Sequence, residues 1–296
     1  MIGAIAERVA QGAPIDEADA RAILDTHDLV AIGSMADDVR RRMHGVETTF
    51  QRVFEVHVDA IPAALPAGLM AGEIRLIGRP ASVDAALAAV RDAARLAGET
   101  PLGGFALADL LALADGSPDV LERACVQLRA AGLQIVAEAA VDGDADPQDA
   151  IAAARRAGLM VPTLVVQSLP AERRVEVLMR ARALQESLGG FRALAPLPRT
   201  IPDSVPTTGY DDVKVVALAR VLVTDIPSIQ VDWPLYGPKL AQFALTVGAD
   251  DVDRVAAEET GLLGRRRSAI EEIRGNIRAA GLEPRERNAR WEAITP

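Results

Sequence analysis

Three polar residues at alternate positions are the first candidates for chemistry. Glu55, His57 and Asp59 lie in TFQRVFEVHVD (residues 49–59), whose alternating β-branched and aromatic residues predict a strand. Alternate residues of a strand project from one face, so these side chains should form one polar cluster. Such a cluster could bind a divalent metal or act as a general base. Alternatively, the three side chains satisfy one another or point to solvent.

A second group follows a later strand predicted over residues 229–233. Asp232 stands at its end and could join the acid/base or metal-binding residues. Glu138, late on the fourth strand, could join the same layer as the polar cluster of the first strand. Trp233 and Tyr236 are two of only four Trp and Tyr residues in the chain, and together they could form a stacking wall for a planar ligand. Filling of the core is the alternative.

Two cations are further candidates for ligand binding. Arg199 is in the proline-rich segment after the sixth predicted strand, and Lys239 is near a helix start. Either side chain could neutralise a carboxylate or phosphate of a ligand. Either could equally be a solvated surface charge.

The elements that must position these residues alternate between strand and helix. Two helices, 15–24 and 29–42, precede the first strand, and amphipathic stretches separate the later ones. This alternation favours a parallel sheet, and we predict an α/β fold with a TIM-like or partial (β/α) barrel. We expect a helical cap at 1–48 and the barrel at 49–296. The predicted strands are 49–59, 73–78, 102–106, 133–139, 159–167, 191–195 and 229–233.

Composition restricts the partners. A net charge of -10 argues against nucleic acid, and no apolar run approaches the roughly 18 residues of a membrane span. Because Glu7 and Arg8 interrupt the first apolar stretch, it is not typical of a secretory signal, and we expect a cytoplasmic protein. The single cysteine, Cys125, fits a buried position in a helix. The sequence contains no Gly-x-Ser-x-Gly, P-loop, His-Glu-x-x-His or Cys-x-x-Cys motif.

Two long segments carry a specific family likeness. They are LQESLGGFRALAPLPRT (184–200) and TTGYDDVKVVALARVLVTDIPSIQVDWPLYGPKLAQFALTVGADDVD (207–253), and residues 28–50 carry a further part of it. Together these segments resemble a group of radical SAM enzymes: aminofutalosine synthase, dehypoxanthine futalosine cyclase and the deazaflavin synthase subunits. The resemblance implies a barrel of the radical SAM type and a link to menaquinone biosynthesis by the futalosine pathway.

The sequence departs from that family where the cofactor should bind. The family carries Cys-x3-Cys-x2-Cys after its first strand, and these three thiolates hold a [4Fe–4S] cluster. Here the corresponding loop, Ala60–Gly72, contains no Cys, His, Asp or Glu. The glycine motifs that the resemblance implies after the second and fourth strands are also altered, to Gly78-Arg79-Pro80 and to AAVDGD (139–144). We therefore expect no cluster and no reductive cleavage of SAM.

Two hypotheses follow. In the first, the chain is a cluster-less relative that binds an anionic aromatic or nucleoside-like small molecule and performs non-radical chemistry, as a lyase or hydrolase, if any. In the second, it is a catalytically silent paralogue that binds and stabilises another protein. A homodimer is compatible with both hypotheses.

Overall fold

The strand and helix alternation is present in the computed structural model, which describes residues 2–168, 171–200, 208–258 and 269–294. The helices are α1 Ile2–Ala10, α2 Glu17–Asp25, α3 Leu29–His44, α4 Val83–Ala97, α5 Leu107–Leu113, α6 Pro118–Ala131, α7 Gln148–Arg156, α8 Arg174–Leu188, α9 Gly209–Leu222, α10 Trp233–Leu245 and α11 Ala269–Ala279. The strands are β1 Glu47–His57, β2 Glu73–Ile77, β3 Leu102–Ala106, β4 Ile135–Ala140, β5 Thr163–Val165, β6 Ala193–Ala195, β7 Ser228–Asp232, β8 Asp251–Ala256 and β9 Glu283–Glu286.

The strands form one sheet in the order β2-β3-β4-β5-β6-β7-β8-β1-β9, and β1 also pairs with β2. This second pairing closes the ring. Val53 of β1 lies opposite Glu73 of β2, and Val231 of β7 lies opposite Val252 of β8, both in parallel register. The first eight strands therefore make a closed parallel barrel surrounded by helices, which confirms the predicted fold class.

Local chemistry explains where the helices begin and end. Asp16 caps α2 through a reciprocal capping box with Asp19, and Ser82 accepts a hydrogen bond from Ala85 N at the start of α4. Gly45 and Gly98, both at positive φ, follow the last residues of α3 and α4. None of the helices in the described ranges is long and apolar enough to span a membrane.

The chain divides into two compact units. The first comprises Met1–Phe50, Val165–Asp253 and Ile273–Arg285, and it contains all of the predicted 1–48 cap. Here α2 and α3 pack on α9, which is buried along most of its length. The second comprises Gln51–Leu164, Arg254–Glu272 and Glu286–Pro296. It contains β2 to β4 with α4 to α7, and fully buried leucines, including Leu121 and Leu128, fill its core.

Candidate functional site

Strand β7, in the first unit, has one apolar and one polar face. Ile229 and Val231 are buried among the aliphatic core, whereas the intervening face carries Gln230 and Asp232, each only 2% exposed. Asp232 Oδ1 accepts a hydrogen bond from Leu235 N at 2.9 Å and so caps α10. Its other oxygen, Oδ2, pairs with Arg199 Nη1 at 2.5 Å. The strand thus ends in a buried ion pair.

Hydrogen bonds to the backbone of Pro198 and Arg199 hold this segment in place. The backbone N of Arg199 donates to Val166 O at 2.9 Å, and the preceding residue, Pro198, accepts a 2.6 Å hydrogen bond from Tyr236 OH. Burial raises the pKa of the Tyr236 phenol, and the charge of nearby Asp212 raises it further, so this hydroxyl stays a donor. We call Pro198, Arg199, Asp232 and Tyr236 the β7 cluster.

A second set of polar contacts in the first unit involves Gln230, which lies two residues before Asp232 on β7. Gln230 Nε2 donates to Asp251 Oδ2 at 2.8 Å, and Thr49 Oγ1 donates to the other oxygen, Asp251 Oδ1. All three residues belong to neighbouring strands, β7, β8 and β1. None of the three was predicted from the sequence as a site residue. The missed signal is the alternation of Asp251, Val252 and Asp253, since polar residues at every second position indicate a strand with one polar face.

The other two candidates of the first unit differ in burial. Trp233 is buried at the start of α10, with 9% of its surface exposed, which favours core filling over an open stacking wall. Lys239 is exposed, two residues after Gly237 interrupts the helical backbone at φ 73°. The structure therefore brings Arg199, Asp232 and Tyr236 together and leaves Lys239 on the surface.

The candidates of the second unit are spread out rather than gathered. Glu55 Oε1 accepts a 2.6 Å hydrogen bond from Arg254 Nε, which turns its carboxylate toward a cation. Asp59 N donates to His57 Nδ1 at 3.3 Å, while the Asp59 carboxylate lies 3.7 Å from the same nitrogen and is largely exposed. Glu138 is half-buried on β4, opposite Ala106 of β3.

These positions bear on the predicted metal site. Within the described residues, no group of three or more His, Cys, Asp or Glu side chains is arranged to hold a metal ion. The carboxylate of Glu55 is committed to Arg254, and that of Asp59 extends into solvent. Glu55 and His57 alternate on β1, but the strand ends at His57, two residues before its predicted end, and Asp59 lies in the following turn.

A buried polar network between the middle of β1 and the beginning of β2 was also not predicted. In the second unit, Glu73 accepts hydrogen bonds from Gln51 and from Arg75, each at 2.6 Å, and Arg287 donates to the oxygen of Gln51. Gly103 leaves room for the Glu73 carboxylate, because a Cβ at this position would overlap its Oε1. A hydrogen bond thus ties the segment containing Arg287 to the middle of β1.

The loop at which the resemblance implies a cluster takes a compact course in the second unit. Leu69 N donates to Pro66 O at 3.1 Å, and Gly72 N donates to Arg52 O at 2.8 Å. A cavity of 340 Å³ beside this loop is lined by Pro66–Met70, Arg52, Ala257 and Glu258. Cys125 lies elsewhere, buried in α6, where burial raises the pKa of its thiol to about 12. The loop therefore offers none of the side chains that ligate a [4Fe–4S] cluster.

Comparison with known proteins supports the likeness seen in the sequence. Residues 197–295 match the CofH/MqnC C-terminal region. The chain is 31% identical over 141 residues to 5-amino-6-(D-ribitylamino)uracil–L-tyrosine 4-hydroxyphenyl transferase 1 of Methanosarcina barkeri, covering 42% of this chain and 37% of that protein. It is 30% identical over 142 residues to aminodeoxyfutalosine synthase of Streptomyces coelicolor, covering 41% and 37%. The matched part is thus less than half of either relative.

Solved structures show the fold alone. HydG from Carboxydothermus hydrogenoformans, an FeFe-hydrogenase maturase, superposes with a TM-score of 0.65 at 13% identity, covering 96% of this chain and 79% of HydG. Methylornithine synthase (PylB) gives 0.60 at 13% identity, covering 95% and 97%. The chain is accordingly a parallel (β/α) barrel protein. Its predicted resemblance to the aminofutalosine synthase and deazaflavin synthase group is confirmed by the sequence matches.

Proposed function

We propose that this chain is a cluster-less relative of the futalosine-pathway enzymes that binds a nucleoside-like or anionic aromatic small molecule at the β7 cluster. The observation that carries the proposal is the buried Arg199–Asp232 pair at the carboxyl end of a barrel strand, with Tyr236 OH donating to the carbonyl of the neighbouring Pro198. All three residues lie within the segment that matches the family model. The menaquinone link is supported by the similarity to aminodeoxyfutalosine synthase.

The position of the cluster supports a binding role. Barrel proteins place their ligands at the carboxyl ends of the strands, and Asp232 is the last residue of β7. A buried ion pair contributes little net stability, because the desolvation of both charges offsets their attraction. A functional use explains its presence better than stability does.

The chemistry open to the cluster is proton transfer or polar binding. Tyr236 presents a phenol whose raised pKa keeps it protonated, and Asp232 presents a carboxylate whose partners are a guanidinium and a helix N-terminus. These groups suit a non-radical lyase or hydrolase, which needs a donor and an acceptor near one another. They supply no electron for reductive cleavage of SAM.

The cluster-less part of the proposal is tested by anaerobic reconstitution with iron and sulfide. The donor set of Ala60–Gly72 does not fit three-thiolate ligation, and Cys125 is buried in α6. After desalting, we expect iron and sulfide contents at background and no visible absorption of an iron–sulfur cluster. A stoichiometric cluster would contradict this part of the proposal.

The binding part is tested by calorimetry and thermal shift with futalosine-like nucleosides and chorismate-derived aromatic acids. Wild type should be stabilised by at least one compound. Tyr236→Phe, which removes only the hydroxyl donated to Pro198, should bind that compound several-fold more weakly, because Arg199 loses its support. Arg95→Gln on the exposed end of α4 is the matched control and should bind as wild type does.

Failure of every compound to bind wild type would contradict the proposal. The role as a stabilising partner of another protein stays a prediction, which co-purification from the native host would test.

A further inference from the structure

The side-chain amide of Gln230 has a hydrogen-bond partner for its nitrogen but none, among the described residues, for its oxygen. Its side chain is buried on the polar face of β7, two residues before Asp232, so both project from the same face of the strand. Nε2 donates to Asp251 at 2.8 Å. Oε1 is also buried, and among the residues that the structure describes none donates a hydrogen bond to it. An unmet buried acceptor destabilises a fold, and native proteins usually satisfy one with a protein group, an ordered water or a ligand.

The orientation of this amide is fixed by its neighbour. Asp251 is acceptor-only as a carboxylate, and it already receives the Thr49 hydroxyl on one oxygen. Turning the Gln230 amide over would place its oxygen against the second carboxylate oxygen and lose the 2.8 Å hydrogen bond. The pair therefore holds Oε1 away from Asp251, as a fixed acceptor on the face that leads to the β7 cluster.

We propose that Gln230 is a specificity-determining residue whose Oε1 accepts a hydrogen bond from a neutral donor of a bound nucleoside. This inference rests on the proposed function and narrows it. The donor is either a base N–H or a ribose hydroxyl, since both meet a neutral amide oxygen well. The carboxylate of an anionic aromatic acid offers this position only acceptors, and it would approach the carboxylates of Asp232 and Asp251.

The test is calorimetric titration of inosine, 1-methylinosine and 2′-deoxyinosine into wild type, Gln230→Met and Gln230→Asn. Wild type should bind inosine roughly tenfold more tightly than the analogue that lacks the donor, and the analogue affected identifies base or ribose. Gln230→Met should bind inosine roughly tenfold more weakly and lose that preference. Gln230→Asn keeps an amide on a shorter side chain that withdraws its oxygen, and it should show the same loss. This second variant keeps the test decisive if Gln230→Met fails to fold.

Thr246→Val is the matched control, because it removes one exposed hydroxyl hydrogen bond to Phe243 O in the same unit. It should bind all three nucleosides as wild type does. Wild-type affinity for inosine in both folded Gln230 variants would overturn the inference and leave the proposed function standing. Binding of aromatic acids but of no nucleoside would also overturn it. Binding of neither class would instead remove the proposed function itself.

Discussion

At the scale of single residues, the Arg199–Asp232 pair of the candidate site is a contact between two buried charges, each of which needs the other for stability. Arg199→Met would leave the Asp232 carboxylate buried without its guanidinium, and we expect the free energy of unfolding to fall by about 3 kcal/mol. Urea denaturation measures this loss. Arg21→Met, which breaks an exposed pair with Glu17, should cost less than about 1 kcal/mol. Equal losses in the two variants would show that burial does not govern the pair.

Cys125 gives a prediction about reactivity. The thiolate is the species that alkylates, and a pKa of about 12 leaves almost none of it in the folded protein at pH 8. Iodoacetamide should therefore label the native protein far more slowly than the protein unfolded in urea. Mass spectrometry of timed samples measures both rates. Rapid labelling of the native protein at Cys125 would contradict its burial in α6.

The candidate residues show what residue types and spacing can predict. Arg199, Asp232 and Tyr236 were selected because they follow strand ends, and the barrel does bring them together. Side-chain partners were harder to foresee. Glu55 pairs with Arg254, 199 positions away, and such long-range contacts leave no local mark in the sequence.

At the scale of elements, a close approach between β2 and β3 depends on a missing side chain. Gly103→Ala would push a Cβ into the buried Glu73 carboxylate, and we expect a loss of about 2 kcal/mol or more with a lower Tm. Gly275→Ala in α11 is the control, since a Cβ there meets nothing within 4 Å and alanine favours a helix. Its Tm should hold or rise. A lower Tm in Gly275→Ala, with no change in Gly103→Ala, would contradict the expected clash with Glu73.

Most elements were predictable because their apolar periodicity is local. The predicted strand 102–106 has the bounds of β3, and the predicted helix 29–42 falls within α3. Strand β8 was missed because Asp251 and Asp253 replace the expected apolar residues on its polar face. Strand β9, Glu283–Glu286, is short and charged, and its pairing comes from tertiary structure alone.

At the scale of the whole molecule, two buried groups make stability depend on alkaline pH. The pKa values of Cys125 and Tyr236 are both raised by burial, so each group favours folding below its unfolded pKa. That contribution is lost as pH rises above about 9 toward the folded values. The free energy of unfolding should therefore fall between pH 9 and 11. Urea titrations of wild type and of Cys125→Ala/Tyr236→Phe measure this, and an equally steep fall in the double variant would contradict it.

The network around Gln51 has a consequence for biosynthesis. Arg287 reaches back 236 positions to Gln51, and Glu286 reaches back 234 positions to Arg52. During translation, β1 leaves the ribosome before these partners, and more than two hundred residues are added between them. Contacts of such sequence separation form slowly. While these residues are being added, the polar side chains in the middle of β1 lack their distant partners, and the nascent chain is exposed to aggregation.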